Sequence, residues 1–540
     1  MPLPAPGRAR RPLLRRLVSP LALALMLGGT LPAMAAQTGP AFVQVLAGAV
    51  SSDEAVAEWY RARGWQPLWT GEDGAARRAA LLAALDTAPD HGLPAARYDA
   101  AGLRAALASA RTEGDLGRIE ARMTRAWLDW ARDLTSGLLE PAKIDATIVR
   151  EIARPDPVRL LNAMAQGEPD RVLRDLLPKS DAYVQLMKAR LDLEAAMQAD
   201  GWGPAVSGGG LEPGATGPGV VALRDRLIAM GYLAPTATAV YDRALQTAVM
   251  GFQRAHGLPA DGVAGGDTLA ELNKTPAERM ASVLVAMERE RWMEIDRSGR
   301  MIWVNLPDFT AQIIDDGRVS FRTRSVIGRE DTDRRTPEFS DMMDHMVVNP
   351  SWGVPRSIIV GEYLPLLQRN PNAVGHMQIV DRNGRVVSRG SVNFAAYTAR
   401  SFPFGMRQPP GDSNALGKVK FMFPNKYNIY LHDTPSKSLF AHDKRAYSHG
   451  CIRLADPFDF AHALFRTQSD AIEEEFNATL KGGRETPVKL EKKVPIHLVY
   501  FTAYPEAKGR IGYRRDVYGR DARLWAALTD AGVVLQSVSQ

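Results

Sequence analysis

The spacing of apolar residues changes along the chain, and this change restricts the fold more than any other feature of the sequence. From about residue 50 to 200, apolar side chains such as Met123 and Trp127 recur at three- and four-residue steps, which predicts helices. From about residue 300, short apolar runs alternate with Asp/Gly turns, as in 309–317, which predicts strands and hairpins. Because 540 residues also exceed what one hydrophobic core supports, the sequence predicts a multidomain α+β protein.

A linker rich in glycine and proline begins at Ser207, and beyond it lies a compact unit at 214–274. Leu223 and Leu245 lie on the apolar faces of its first two predicted helices, and a short third helix follows. We therefore expect a three-helix unit between the helical region and the β-rich region.

Much later in the chain, Asp456 precedes a proline, and this pattern is typical of a helix start. A helix is therefore expected to begin just after Cys451.

The first 35 residues are typical of a secretory signal. A head with five arginines and no acidic residue precedes an apolar stretch at about 17–31, and Ala33 to Ala35 match a signal peptidase site. We expect cleavage here, and the alternative is an uncleaved anchor in the inner membrane. Without these five arginines the formal charge of +6 falls to about +1, so net charge does not predict nucleic acid as a partner.

Cys451 is the only cysteine of the chain, so no intramolecular disulfide can form. A free thiol is open to oxidation outside the cytoplasm. Such a thiol is either a buried, inert side chain or a nucleophile, and its neighbours favour the nucleophile.

The residues around Cys451 supply what acyl transfer by a thiol requires. Ser448, His449 and Gly450 immediately precede it, and His432 closes a predicted strand before them. A thiol needs a nearby base to become nucleophilic, and the developing oxyanion needs backbone N–H donors. Gly450 lets the backbone approach a bound carbonyl oxygen closely.

Two sets of motifs resemble known families. Phe252-Gln253 and 261–263 resemble the small three-helix peptidoglycan-binding domain, although the unit could also be a spacer that no longer binds glycan. His432 followed by Ser448-His449-Gly450-Cys451 resembles the signature of the L,D-transpeptidase catalytic domain. Further segments look like the large Gram-negative members of that family: 349–355, 408–411, 414–417, 421–425 and 432–435.

The resemblance covers nearly all of the chain after the signal and implies its domain organisation. The fold is expected to combine a helical scaffold, a small three-helix peptidoglycan-binding domain and a β-rich L,D-transpeptidase catalytic domain with an inserted capping subdomain. The expected boundaries are a signal peptide at 1–35, the scaffold at 50–205, the peptidoglycan-binding domain at 214–274, the catalytic domain at 280–515 with the capping insertion at about 356–407, and a C-terminal tail at 516–540.

The resemblance also implies the catalytic residues. Cys451 would be the nucleophile and His432 the general base, oriented by Asp433 or by a backbone carbonyl beside it. The N–H groups of Gly450 and Cys451 would form the oxyanion hole, helped by Tyr430.

Four further residues would shape the pocket or contact the substrate. Ser448 and His449 would shape the pocket. Arg453 stands where many family members have Asn, and its guanidinium suits a carboxylate of the substrate. Trp352 would line the cleft, unless it is a core tryptophan.

The implied reaction is the formation of 3→3 cross-links in peptidoglycan through a thioester on Cys451. The implied partners are peptidoglycan stem peptides, glycan strands and other cell-wall enzymes, with no cofactor and no metal, in the periplasm. Carbapenems are expected to acylate the same thiol. Trimming of tetrapeptides and attachment of a protein to the wall share the first half-reaction, so the residues leave them open.

Two other classes of function compete with the enzyme. In a non-catalytic wall-binding protein, the unit at 214–274 would carry the function. A zinc site is conceivable because His432, His442, His449 and Cys451 fall in one stretch. Their spacing matches no compact ligand motif, and an oxidisable thiolate is a poor ligand in an exported protein.

Overall fold

The computed structural model describes residues 39–535, except 294, 332 and 507–508. The predicted signal at 1–35 lies outside these residues. None of the helices in the described ranges has the length and apolar character that a membrane crossing requires.

The N-terminal region is helical, as its periodicity predicts. Trp127 and Trp130 on the longest helix are buried in a single apolar cluster, which agrees with the core position expected for tryptophans at helical spacing. That helix begins at a capping box in which Thr112 and Asp115 bond each other's backbone N–H. The helices of this region are α1 (Pro40–Val50), α2 (Glu54–Ala62), α3 (Ala75–Asp86), α4 (Ala95–Tyr98), α5 (Ala100–Ser109), α6 (Glu113–Ser136), α7 (Pro141–Ile144), α8 (Pro157–Gln166), α9 (Pro169–Leu176) and α10 (Asp181–Gln198).

A second, separate apolar cluster holds the three-helix unit together. Asp242 caps its second helix by accepting a hydrogen bond from the N–H of Leu245, and Phe252 is fully buried in the cluster. The unit contains α11 (Pro218–Ala229), α12 (Arg243–Ala255) and α13 (Gly266–Leu272), and α14 (Pro276–Arg291) follows it.

The C-terminal half is β-rich, and its main sheet closes on itself. The strands are β1 (Met301–Asn305), β2 (Thr310–Asp315), β3 (Arg318–Gly328), β4 (Phe339–Val348), β5 (Trp352–Gly353), β6 (Gln378–Val380), β7 (Val386–Val387), β8 (Gly405–Gln408), β9 (Val419–Met422), β10 (Leu431–His432), β11 (Ala446–Ser448), β12 (Ile452–Leu454), β13 (Thr486–Val499), β14 (Ala503–Pro505) and β15 (Ile511–Tyr513). The main sheet has the order β11-β3-β12-β10-β9-β4-β13-β1-β2, and β2 also pairs with β3. The predicted hairpin of β2 and β3 is confirmed.

A small subdomain is inserted between β4 and β9. Its four-stranded sheet has the order β5-β8-β6-β7, and Leu367, Phe394 and Met406 belong to an apolar cluster of its own. Its helical part consists of α15 (Arg356–Ile358), a π-helical turn (Ile359–Tyr363) and α16 (Leu364–Arg369). This insertion matches the capping subdomain that the sequence predicts.

The remaining helices are α17 (Pro457–Phe465), α18 (Ile472–Lys481) and α19 (Arg520–Asp530). Helix α17 begins where Asp456 predicts it, but the Asp456 carboxylate accepts a hydrogen bond from Thr323 Oγ1 and does not cap the helix. The segment predicted as a C-terminal tail at 516–540 contains α19 in its described part, and Leu524 and Leu528 of this helix are fully buried with apolar residues of α10 and α14.

Buried ionic contacts join the helical region to the β-rich domain. The Arg520 side chain, which is fully buried, donates to the Glu338 carboxylate and to Thr147 Oγ1. The Glu338 backbone N–H donates to the Thr147 carbonyl, and Ile148 forms a parallel bridge with Glu338. These contacts fix the scaffold to the segment that leads into β4.

Candidate active site

The parallel pairing of β10 with β12 brings the motif residues together. His432 pairs with Arg453 and Leu431 with Ile452. Alternate residues of a strand share a face, so Leu431 and Ile452 enter the buried core. The following side chains therefore lie on the other face: Tyr430, His432, Cys451 and Arg453.

The Cys451 thiol lies at the end of the turn between β11 and β12 and is half-buried. Its Sγ donates to the backbone carbonyl of Asn428, 3.4 Å away. Asn428 has a left-handed backbone conformation with φ of 55°, which asparagine tolerates better than most residues. Among the described residues, no hydrogen bond joins Sγ to the His432 imidazole.

The backbone determines which nitrogen of His432 can act as a base. Nδ1 bonds the carbonyl oxygen of Asp433. Because a carbonyl only accepts, Nδ1 carries the proton and Nε2 keeps its lone pair. Burial, together with the positive charges of Arg453 and Lys420, lowers the pKa of His432 to about 3 against the opposing effect of this bond.

The Asp433 carboxylate has a different role from the Asp433 carbonyl. Its Oδ1 accepts from the Thr434 N–H and from Lys437 Nζ, and its Oδ2 accepts from the Lys418 N–H. Gly417 has φ of 62°, and a side chain there would overlap this carboxylate. Of the two orienting groups predicted for His432, the structure shows the backbone carbonyl, because the carboxylate is already engaged by other donors.

Burial also keeps the thiol protonated. It raises the pKa of Cys451 to about 11, although hydrogen bonds from Tyr430 and the charges of Arg453 and Lys420 lower it. A protonated thiol therefore lies on the same sheet face as a neutral imidazole at neutral pH. This arrangement suits proton transfer during nucleophilic attack rather than a preformed thiolate.

The turn before the thiol is closed by Ser448. The buried Ser448 hydroxyl donates to the Cys451 carbonyl at 2.5 Å and accepts from the Gly450 N–H at 3.1 Å. Gly450 has φ of 115°, where side chains are strongly disfavoured. The Gly450 N–H, which the resemblance assigns to the oxyanion hole, therefore donates to Ser448 in this conformation, and its catalytic role stays a prediction.

The His449 imidazole contacts two charged side chains. Its Nε2 is 2.9 Å from Glu362 Oε1 and 3.1 Å from Arg334 Nη1, and Arg334 also pairs with Glu362 at 2.9 Å. Because Glu362 belongs to the inserted subdomain, His449 joins this subdomain to the turn that carries Cys451.

Two of the predicted substrate residues, Arg453 and Tyr430, lie near the thiol. Nε of Arg453 is buried without a hydrogen-bond partner in the described ranges, and the guanidinium is half-buried. The Tyr430 hydroxyl interacts with both the Cys451 thiol and the Trp352 side chain. Burial raises the pKa of Tyr430, and the neighbouring Cys451 raises it further, so the hydroxyl remains a donor.

Sequence reasoning missed two residues of this site. Lys420 on β9 pairs with His432, and burial lowers its pKa while Glu485 and Cys451 raise it. Asn428 supplies the carbonyl that accepts from the thiol. Nothing in the local sequence marks either residue, because strand pairing brings Lys420 to this site and the loop before β10 brings Asn428 to Cys451.

A zinc site around Cys451 is one alternative to the enzyme that the sequence suggested. Among the residues that the structure describes, no group of three or more His, Cys, Asp or Glu side chains is placed to hold a metal ion.

Comparisons with known proteins find matches to three regions of the chain. Family models match a scaffold domain at 54–189, a "Putative peptidoglycan binding domain" at 216–272 and an L,D-transpeptidase catalytic domain at 299–468. The chain is 32% identical over 252 residues to a Haemophilus influenzae protein named "Putative L,D-transpeptidase". The match covers 46% of this chain and 50% of the relative, so the chain spans about half of the relative's length.

Two solved structures are similar to part of the chain. A crystal structure of the L,D-transpeptidase from Xylanimonas cellulosilytica is 17% identical, covers 54% of this chain and 98% of that chain, and has a TM-score of 0.16. A crystal structure of L,D-transpeptidase from Stackebrandtia nassauensis is 14% identical, covers 55% of this chain and 96% of that chain, and has a TM-score of 0.22.

The fold and the family matches define a protein with an L,D-transpeptidase catalytic domain. More narrowly, the chain joins regions that match a scaffold domain and a peptidoglycan-binding domain to this catalytic domain. The L,D-transpeptidase catalytic domain, the peptidoglycan-binding domain and the multidomain α+β fold predicted from the sequence are confirmed. The exact domain boundaries and the residue roles remain predictions.

Proposed function

We propose that the chain is a periplasmic enzyme that forms 3→3 cross-links in peptidoglycan through a thioester on Cys451. One observation carries the proposal: the β10–β12 pairing places a neutral imidazole and a thiol on one sheet face. Two cationic side chains, Lys420 and Arg453, flank the imidazole on the neighbouring strands. A neighbouring base is what a thiol needs to act as an acylated nucleophile.

In the first half-reaction, Cys451 attacks the carbonyl of the third residue of a donor tetrapeptide stem. The thiol rotates away from Asn428, its proton passes to Nε2 of His432, and an Sγ–C bond forms. The tetrahedral oxyanion accepts a hydrogen bond from the Cys451 N–H, with the Tyr430 hydroxyl as a second donor. When the intermediate collapses, the peptide bond breaks and the amine of D-Ala takes the proton from His432.

Arg453 also suits substrate binding, in addition to lowering the pKa of His432. A stem peptide carries carboxylates, and a guanidinium binds a carboxylate through two hydrogen bonds. We propose that Arg453 binds such a carboxylate, because its half-buried side chain has no ionic partner within the described ranges. Trp352 then lines the cleft beside Tyr430.

In the second half-reaction, the side-chain amine of a second stem attacks the thioester. It gives a proton to His432 and forms the new amide bond while Cys451 regains its thiol. Water in place of the amine makes the enzyme a carboxypeptidase, and an amine on a protein makes it an attachment enzyme. We propose that the unit matched at 216–272 holds the glycan strand.

Product analysis tests the proposal. The full chain is incubated with a disaccharide tetrapeptide, and D-Ala and the muropeptides are measured by mass spectrometry. The expected products are free D-Ala and a 3→3 dimer, whereas a tripeptide alone indicates the carboxypeptidase. The variant Cys451→Ala should release no D-Ala, and undiminished release would contradict the mechanism. If the wild-type chain binds peptidoglycan but releases no D-Ala, the chain is a non-catalytic binding protein.

Covalent labelling provides a second test. A carbapenem should add its mass once to the wild-type chain and not to Cys451→Ala, because Cys451 is the only cysteine. Addition to both proteins would place the reactive group elsewhere.

A further inference from the structure

The geometry points to Thr336 as a positioning residue that sets the direction of the Cys451 N–H, the donor to the oxyanion. Thr336 acts through the carbonyl of Gly450 and does not itself touch the substrate. This role rests on the proposed thioester chemistry.

The Thr336 hydroxyl makes two hydrogen bonds in the protein interior. Its Oγ1 donates to the Gly450 carbonyl at 2.7 Å and accepts from the Gly328 N–H at 2.9 Å. The Thr336 side chain is fully buried. With one donor and one acceptor bond formed, the hydroxyl has a single favourable orientation.

The geometry of the peptide unit transfers this orientation to the catalytic residue. The Gly450 carbonyl and the Cys451 N–H belong to one planar trans peptide, so they point in opposite directions. When Thr336 holds the carbonyl in the interior, the N–H must point towards the opposite side. No residue in the described part of the chain accepts from this N–H, whereas the Gly450 N–H is bonded to Ser448.

Gly450 makes this restraint necessary. A glycine at φ of 115° has no side chain to oppose rotation of the peptide that follows it. Ser448 holds the far side of Cys451 through the Cys451 carbonyl. Thr336 therefore supplies the side-chain hydrogen bond to the peptide that presents the N–H.

Thr336 is in turn anchored to the scaffold. Arg520 donates to the Thr336 carbonyl at 2.9 Å and to Thr147 Oγ1 at 2.7 Å. The Tyr518 hydroxyl accepts from the Thr336 N–H at 3.3 Å. The helical region thus contributes, through Thr147, to the placement of the oxyanion donor.

Two reactions of the same thiol test this role. D-Ala release from a disaccharide tetrapeptide needs the oxyanion donor, whereas alkylation by iodoacetamide is a displacement at carbon that forms no oxyanion. For Thr336→Val in the full chain, we expect kcat for D-Ala release to fall by about 10- to 100-fold with KM unchanged. The rate of alkylation at pH 9 should equal that of the wild type. Thr336→Ser keeps the hydroxyl and should restore kcat.

The other outcomes of these experiments contradict either the role of Thr336 or the proposed function. If Thr336→Val keeps the wild-type kcat, the inference is wrong while the thioester mechanism stands. If alkylation falls together with D-Ala release, Thr336 is only structural, and the inference is again wrong. Thr336→Ala, which leaves space for water, is tested in the same way if the valine variant does not fold. If the wild-type chain releases no D-Ala, the proposed function fails first.

Discussion

The pH dependence of Cys451 alkylation is the sharpest consequence of the site. Burial raises the pKa of the thiol to about 11 and lowers the pKa of His432 to about 3. Between these values both groups are neutral. Only the thiolate reacts with iodoacetamide, and at pH 7.5 a thiol with this pKa is ionised to about 3 parts in 10,000. An ordinary cysteine with a pKa of ~8.5 is ionised to about 10%.

We therefore expect Cys451 to react about 300-fold more slowly at pH 7.5 than an unperturbed cysteine of equal access. The rate should rise about tenfold for each pH unit until the thiol titrates. The assay follows the mass of the full chain over time between pH 6 and 11, and its single cysteine makes the signal unambiguous. Cys451→Ala provides the blank.

A rate that is already maximal between pH 5 and 8 would refute this reasoning. Such a plateau would show a resting thiolate paired with an imidazolium, as occurs when a cysteine pKa is depressed by a neighbouring cation. His432 would then carry a proton at neutral pH, and its buried, cation-flanked position would not be the dominant influence on its pKa.

Three substitutions test the surrounding structure. Gly450→Ala should cost about 1–3 kcal/mol of stability in thermal unfolding and abolish D-Ala release. The reasons are the φ of 115° at Gly450 and the contact that a new Cβ would make with Ile429. The control is Gly361→Ala, whose new Cβ meets no atom within 4 Å, and this variant should be active. Asp433→Asn should cost about 1–3 kcal/mol of stability but keep most of kcat, since the carbonyl orients His432; a loss of kcat as large as that of His432→Gln would assign that role to the carboxylate. For His432, the folded pKa lies below the unfolded value, so the unfolded state binds the extra proton and stability falls as pH decreases from about 6.5 towards 3. His432→Gln should reduce this slope by about 1 kcal/mol per pH unit in urea unfolding, and an unchanged slope would mean that His432 is protonated in the folded protein.

Local patterns in the sequence were enough to predict helices, strands and the motif that contains Cys451. The alternation in β1, β2 and β3 predicted a hairpin that the structure contains, and Asp456-Pro457 predicted the start of α17. The motif around Cys451 predicted the catalytic domain that the family model matches. These features depend on neighbours a few residues apart, which a linear pattern records.

Contacts between distant residues were decided only by the tertiary structure. Lys420, Thr336 and Asn428 reach the thiol region through strand pairing and loop packing, and no local pattern marks them. The same holds for α19, whose Leu524 is buried by helices far away in the sequence. The residue type at Asp433 could not show whether its carboxylate or its carbonyl faces His432. The choice depends on Lys418 and the other donors that the fold brings to that carboxylate.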